Sequence, residues 1–278
     1  MNTIKFRCSS LGKLMTNHVG KSNADKYTDA VETLNSLKEK YEATKNKETA
    51  TAIKMLDKIK ALEIEVPELF KVKDDIKLSE TAKTHIEEIW LKRNHGYKET
   101  VITNELIKGI VCEKEAIELL TEFDSEVREK NNKRFDNDFI EGEPDVILSE
   151  VIEDTKCSWN LKTYFNAELS DEYFWQGQGY MALLGIKKFR LVYCGIDTPP
   201  ELITKEINYQ VRKLGMSITE DVFDAEKIAA QIRINHTFSH LPIEQRIKVF
   251  EFEYNEQEVQ RMYQTIKAAR EYYNSLTL

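Results

Sequence analysis

Two short apolar runs separated by two polar residues restrict how this chain can fold more than any other feature. Val146–Leu148 and Val151–Ile152 flank the dipeptide Ser149-Glu150. Such a pattern is typical of a tight hairpin, in which the polar pair forms the turn. Because the turn sets which residues pair, it also sets the register of the two strands.

This register places two carboxylates face to face. Asp145 lies directly opposite Asp154, and strand alternation puts Lys156 on the same face, with Glu153 and Thr155 on the other. Like charges opposite each other in a sheet repel unless a positive group lies between them. A hard divalent cation with oxygen ligands satisfies both carboxylates, and Lys156 can stabilise the charge that develops on a phosphate. The alternative is an exposed polar face of an ordinary hairpin.

The remaining apolar spacing after residue 100 predicts an α/β chain. The expected helices cover 104–122, 172–184, 219–232 and a last helix after Asn255, which could cap it; the expected strands cover 126–130, 139–148, 151–157, 189–194, 202–207 and 247–252. The order helix, strands, helix, strands is typical of an α/β fold.

The segment 21–100 differs in texture from the rest of the chain. Helical spacing from 24 to 63, with polar residues at 45–47, predicts an antiparallel helical hairpin. Pro67 is expected to end that pattern, and a further helix is expected over 79–93. We therefore expect one domain over 1–278, with a helical insertion at 21–100, a core at 101–210 and an accessory strand and helices at 211–278.

Composition excludes several classes of protein. The four cysteines, Cys8, Cys112, Cys157 and Cys194, form no C-x-x-C pair. This argues against a compact zinc or iron–sulfur motif and for free, mostly buried thiols.

No apolar run is long enough to span a membrane, and the first residues lack the apolar stretch of a secretory signal. We therefore expect a cytoplasmic protein. The net charge of −8 is a mild argument against a nucleic-acid binder, although phosphate contact needs only a local basic patch.

Four motifs in a fixed order carry a family resemblance. They are G-x-x-x-E-x-x-A from Gly109 through Glu113 to Ala116, G-x-P-D from Gly142 to Asp145, D-x-K from Asp154 to Lys156, and Q-x-x-x-Y from Gln176 to Tyr180. Together they resemble the PD-(D/E)XK nuclease superfamily, in the branch that contains RecB nuclease domains, YqaJ-type phage nucleases and lambda exonuclease. The resemblance covers residues 105–195, and Lys108 departs from it where relatives often carry Arg.

The resemblance implies a restriction-endonuclease-like core, a small mixed sheet flanked by helices, and a Mg²⁺ or Mn²⁺ site. Glu113, Asp145 and Asp154 would be metal ligands, together with the Thr155 carbonyl. Lys156 would be the base that positions the attacking water, or an electrophile. The remaining motif pair, Gln176 and Tyr180, would support the site and contact the DNA backbone.

The N-terminal segment adds a fainter resemblance. Arg7, Ser9, Ser10 and Lys13 match the part of YqaJ-type and lambda-type exonucleases that binds a terminal phosphate, and cations with small hydroxyls suit that task. A merely polar first helical turn is the alternative interpretation.

Taken together, the resemblance implies a phage-type exonuclease that degrades linear double-stranded DNA for recombination or repair, by attack of a metal-activated water on the phosphodiester. It further implies a single-strand annealing protein as partner, a homo-oligomer, and the cytoplasm of a bacterial host if the chain is phage-encoded. Two alternatives stay open. One is an endonuclease of the same superfamily, and the other is a DNA-binding module that keeps the fold without cutting.

Overall fold

The structure is a computed structural model that describes residues 4–17, 21, 23–99, 102–216 and 222–278. The chain divides into two compact units. The first comprises Met1–Gly12 and Lys98–Val259, and the second comprises Lys13–Tyr97 and Gln260–Leu278. None of the helices within the described ranges combines the length and apolar character needed to cross a bilayer.

The secondary structure alternates short strands with longer helices. In chain order the elements are β1 (Phe6–Arg7), a 3₁₀ turn (Cys8–Ser10), α1 (Leu11–Leu14), α2 (Asn23–Ala43), α3 (Ala50–Val72), α4 (Glu80–His95), α5 (Asn104–Asp124), β2 (Phe135–Asp136), β3 (Ile140–Gly142), β4 (Val146–Ile147), β5 (Val151–Cys157), α6 (Leu161–Phe165), α7 (Asp171–Leu184), β6 (Lys188–Cys194), α8 (Pro200–Lys213), α9 (Val222–Asn235), a second 3₁₀ turn (Ile243–Gln245), β7 (Ile247–Glu253) and α10 (Glu256–Ser275).

The first unit is built on a four-stranded mixed sheet of order β4-β5-β6-β7. The β4–β5 pair is the predicted hairpin, with Ile147 opposite Ile152 and Val146 opposite Glu153. The register deduced from the apolar runs is therefore confirmed. Strand β5 pairs in parallel with β6, and β6 pairs antiparallel with β7. A second sheet of order β1-β3-β2 lies in the same unit, so the predicted α/β fold class is confirmed.

Helix α5 covers one face of the main sheet. Its buried side chains Cys112, Ala116 and Leu120 pack against Val192 and Cys194 of β6. These thiols are free, as is each of the four cysteines. Burial of these apolar side chains drives the packing of α5 on the sheet, because each Å² of apolar surface removed from water stabilises the fold by about 25 cal/mol.

Helix α7 approaches the main sheet and β3 closely because its sequence carries glycines at the contact. A Cβ at Gly177 would lie 2.5 Å from the Phe252 ring and 2.7 Å from that of Phe189. In β3, a Cβ at Gly142 would lie 2.5 Å from the Tyr180 ring. The helix begins at Asp171, one residue before the predicted start, and ends at Leu184, where Gly185 caps it in the left-handed conformation, as predicted.

The second unit is helical. Helices α2 and α3 form the predicted antiparallel hairpin, and Thr49 caps α3 by accepting a hydrogen bond from the Ala52 N–H. The expectation that Pro67 ends the helical pattern is wrong, because α3 continues through it to Val72. In the same unit, the hydroxyl of Tyr272 in α10 donates to Glu87 of α4 at 2.5 Å.

Two other expectations after residue 100 are wrong, and a third falls partly outside the described residues. The strand predicted at 202–207 is wrong, because Pro200 begins α8, in which Ile203, Ile207 and Val211 recur at helical spacing. The segment 126–130 forms a single bridge to β4 rather than a strand. The helix predicted from 219 is α9, which begins at residue 222, and residues 217–221 lie outside the described part of the chain.

Candidate active site

The two opposed carboxylates lie at the open end of the β4–β5 hairpin. One oxygen of Asp145 accepts hydrogen bonds from the Thr155 N–H at 2.7 Å and from the Thr155 hydroxyl at 3.1 Å. Burial and the neighbouring Asp154 raise the pKa of Asp145 to about 6. The raised pKa means that burial and the charge of Asp154 both make the ionised form of Asp145 less stable.

The bond to the Thr155 hydroxyl corrects one detail of the predicted geometry. Strict alternation separates Asp145 from Thr155, but Asp145 precedes the first ladder residue of β4, Val146. The carbonyl of Pro144, the next residue back, accepts instead from the Asn131 side chain at 3.0 Å. The Thr155 N–H therefore takes the Asp145 carboxylate as its acceptor.

Asp154 is 2% exposed and is held from two sides. The side-chain amide of Gln176 donates to one of its oxygens at 2.8 Å, and the ammonium group of Lys156 donates to the other. Burial alone would lower the pKa of Lys156, but Asp154 and Asp145 outweigh it and raise that pKa. Lys156 also lies over the ring of Tyr173, 5.1 Å from its centroid.

The Q-x-x-x-Y pair forms a hydrogen-bonded chain toward Asp154. Gln176 and Tyr180 are one helical turn apart on α7, and the Gln176 amide lies 3.3 Å from the Tyr180 hydroxyl. That hydroxyl donates to the carbonyl of Glu143 at 3.2 Å. Both side chains are buried, which fits a role in holding Asp154, whereas their predicted contact with DNA stays a prediction.

Glu113 is paired with a residue that the sequence did not single out. Lys130 donates to the Glu113 carboxylate at 2.5 Å. The pKa of Lys130 is raised chiefly by this hydrogen bond, and the charges of Asp145 and Glu143 add to the effect. Lys130 therefore lies close to both Glu113 and the P-D motif. It stands in a stretch of mixed charge, so composition gave no signal for it.

A buried ion network lies behind the candidate site. Glu153, the neighbour of Asp154 on the opposite face of β5, accepts a hydrogen bond from Arg128 at 2.6 Å and pairs with Arg190 at 3.3 Å. Arg128 also binds Asp124 through two hydrogen bonds of 2.7 Å. Sequence reasoning missed this network because its members come from α5, the loop after it, β5 and β6, which are distant in sequence.

Lys108, the departure from the family pattern, is fully buried in α5. Its ammonium group donates to the carbonyls of Ser158 and Trp159 at 2.6 and 3.2 Å, and to the hydroxyl of Thr198 at 2.8 Å. Burial lowers its pKa to about 8. These bonds fasten the chain that follows β5 to α5.

The N-terminal candidates have different surroundings. Arg7 is exposed and pairs with Glu141 in the parallel β1–β3 register. Ser9 is exposed, and the half-buried Ser10 donates its hydroxyl to the Arg7 carbonyl at 3.0 Å. Lys13 is exposed and belongs to the second unit. A phosphate-binding role for the four stays a prediction.

The residues fit a hard divalent cation through the pair Asp145 and Asp154. The half-buried Asp145 and the buried Asp154, side by side just beyond the Val146–Glu153 pair, offer the carboxylate oxygens that Mg²⁺ and Mn²⁺ prefer. Across the described residues, no three His, Cys, Asp or Glu side chains converge as a metal-binding group. Instead, Lys156 and Lys130 neutralise Asp154 and Glu113.

Comparison with known proteins gave similarity at the level of fold. No family model matches the chain, and no curated protein matches it. Among solved structures, a phage-related exonuclease from Haemophilus somnus 129PT matches 98% of this chain and 94% of its own, with a TM-score of 0.65 and 20% identity. An alkaline exonuclease from Laribacter hongkongensis matches 74% of this chain and 86% of its own, with a TM-score of 0.48 and 15% identity. A complex of that enzyme with dAMP gives a TM-score of 0.47 and 13% identity, over 73% of this chain and 84% of its own. The chain therefore has the fold of the Haemophilus somnus phage-related exonuclease, as the motif resemblance predicted.

Proposed function

We propose that this protein is a metal-dependent deoxyribonuclease that degrades linear double-stranded DNA from its ends. The observation that carries the proposal is the proximity of Asp145 and Asp154 at the end of the β4–β5 hairpin, with Lys156 hydrogen-bonded to Asp154. Few functions other than cation binding explain why a fold would hold two carboxylates in that position. The fold shared with a phage-related exonuclease supports the choice of substrate.

A bound Mg²⁺ or Mn²⁺ would supply an activated water and neutralise charge on the departing oxygen. The chain's own residues do the rest. Asp145 and Asp154 would hold the cation, with the Thr155 carbonyl and Glu113 as further oxygen ligands. Gln176 fixes the orientation of Asp154, and Tyr180 fixes Gln176 through its bond to the Glu143 carbonyl.

Lys156 would act as a cation in this chemistry. Its pKa is raised by the two carboxylates, so it carries its proton at neutral pH. A protonated lysine cannot accept a proton from water, but it can stabilise the negative charge that develops on the phosphate. Of the two roles that the resemblance allows for this residue, we propose the electrophile.

A time course on matched DNA substrates tests the proposal. The substrates are a linear duplex with 5′-phosphate ends, the same duplex with 5′-hydroxyl ends, and a covalently closed circle, each with Mg²⁺ and with excess EDTA. We expect nucleotides to be released from the linear duplexes only with Mg²⁺, and the circle to stay intact. Preference for the 5′-phosphate would support the assignment of Arg7, Ser9, Ser10 and Lys13.

Other results point to the two alternatives. Rapid linearisation of the closed circle would replace the exonuclease with an endonuclease at the same site. Tight binding of duplex without cleavage in either cation would indicate a DNA-binding module that keeps the fold. A single-strand annealing protein as partner and a homo-oligomer remain parts of the proposal, and native mass measurement tests the second.

A further inference from the structure

Lys130 is placed beside the candidate active site by its backbone as well as by its side chain. It forms a bridge with Val146, the first residue of β4. The next residue, Asn131, donates its N–H to the Asp145 carbonyl at 2.7 Å and its side-chain amide to the Pro144 carbonyl at 3.0 Å. The chain on this side of Lys130 is therefore fastened to the P-D motif.

The chain on the other side of Lys130 is fastened as well. Arg128, two residues earlier, is buried and forms its 2.6 Å hydrogen bond with Glu153, the neighbour of Asp154. One short segment is thus connected to both β4 and β5, and its position is fixed at two points. A lysine held in this way differs from a surface lysine on a loose loop.

The Lys130 side chain has a half-buried partner and is itself open to solvent. Its ammonium group contacts Glu113, whose side chain is 20% exposed, while the Lys130 side chain itself is 46% exposed. Glu113 is a proposed cation ligand, so the ammonium group and a divalent cation compete for the same carboxylate. When a cation takes Glu113, Lys130 is left as a free positive charge next to the site, and a DNA phosphate is the natural new partner.

We propose that Lys130 couples cation binding to substrate binding: it neutralises Glu113 in the cation-free protein and moves to a backbone phosphate of the DNA when a divalent cation binds. The inference rests on the proposed nuclease function. It assigns Lys130 as a substrate-contacting residue that also weakens cation binding in the absence of DNA. By linkage, DNA raises the cation affinity and the cation raises the DNA affinity through the same residue.

The test is a Mn²⁺ titration of the full-length protein without DNA, read by the electron paramagnetic resonance signal of free Mn²⁺. Lys130→Met should bind Mn²⁺ about fivefold more tightly than wild type, the ratio equivalent to the ~1 kcal/mol of a partly exposed ion pair. Lys133→Met removes an exposed lysine three residues along and should leave the affinity unchanged. In a Glu113→Gln background, Lys130→Met should have no further effect.

A second readout follows the DNA. With saturating Ca²⁺, which uses the same oxygen ligands, fluorescence anisotropy should show that Lys130→Met binds a short duplex more weakly than Lys133→Met does. The DNA affinity of Lys130→Met should also change less when the cation is added.

Unchanged or weaker Mn²⁺ binding by Lys130→Met overturns the inference. The same increase in Mn²⁺ affinity in the Glu113→Gln background also overturns it. If wild type degrades duplex while Lys130→Met binds Mn²⁺ like wild type, only this inference fails. If wild type binds no Mn²⁺ and cuts no DNA, the proposed function fails and takes this inference with it.

Discussion

At the scale of single residues, each of the two opposed carboxylates is held by a different set of donors. Asp145 relies on Thr155, and Asp154 relies on Gln176 and Lys156. The pKa of Asp145, raised to about 6, indicates that these donors only partly offset burial and repulsion. Candidate active sites of this kind trade stability for a charge arrangement that a cation can use.

Asp145→Asn should make the protein more stable and inactive. The acid has a higher pKa in the folded than in the unfolded chain, so its charge destabilises the fold at pH 7. The free energy of unfolding of Asp145→Asn should therefore exceed that of wild type. The difference should be absent below about pH 4, increase between about pH 4 and pH 6, and reach up to about 3 kcal/mol. Urea denaturation at pH 4, 5.5 and 7 measures it. Glu150→Gln in the exposed turn serves as the control, and a loss of stability in Asp145→Asn at pH 7 would contradict the account.

Lys108 should make the stability of the protein depend on pH in the opposite direction to Asp145. Burial lowers the pKa of Lys108 to about 8 in the folded chain, against 10.5 for an unperturbed lysine. Between those values the unfolded chain binds more protons at this position, so its contribution makes stability rise with pH. The free energy of unfolding of wild type minus that of Lys108→Met should therefore increase by up to about 3 kcal/mol from pH 8 to 10.5. A flat difference, equal to that for Lys133→Met, would show that the ammonium group is not desolvated.

At the scale of elements, the close approach of α7 to β3 positions the site. Gly142 of the G-x-P-D motif contacts the ring of Tyr180 of the Q-x-x-x-Y motif, so the two motifs depend on each other. A side chain at Gly142 would displace α7 and, with it, the Gln176 amide that holds Asp154.

Gly142→Ala should therefore lower the free energy of unfolding by about 1–3 kcal/mol, the usual cost of overpacking. Tyr180→Leu in the same chain should restore part of that loss, because it removes the ring that the new methyl group meets. Thermal unfolding of the two single variants and the double variant gives the coupling. Strictly additive losses would mean that the contact between the motifs contributes nothing.

Local rules predicted the elements that depend on near neighbours. The β4–β5 register follows from a two-residue turn, the end of α7 follows from Gly185, and the Asn255 side chain accepts from the Glu258 N–H at 3.2 Å as its cap role requires. The helix α8 was missed because a short apolar run fits either period. The pairings of Glu113 with Lys130 and of Glu153 with Arg128 lay beyond prediction, because burial and folding bring distant segments together.

At the scale of the whole molecule, the similarity to the phage-related exonuclease spans 98% of this chain. It is thus wider than the motif resemblance, which covers residues 105–195. A match over 98% of the chain includes most of the helical segment 21–100 and of the C-terminal region. Because the similarity includes both regions, the proposed degradation from DNA ends is measured on the full chain.

The most direct test of the central claim is the release of nucleotides from linear duplex DNA by wild type and Asp154→Asn. The amide keeps an acceptor for Gln176 but removes the charge that a cation needs. With Mg²⁺, wild type and the turn control Glu150→Gln should degrade the duplex at equal rates, and both should stop in EDTA. Asp154→Asn should lose at least about 10² in rate with an unchanged unfolding transition. Undiminished degradation by Asp154→Asn, or by wild type in EDTA, would contradict a catalytic cation held by Asp145 and Asp154.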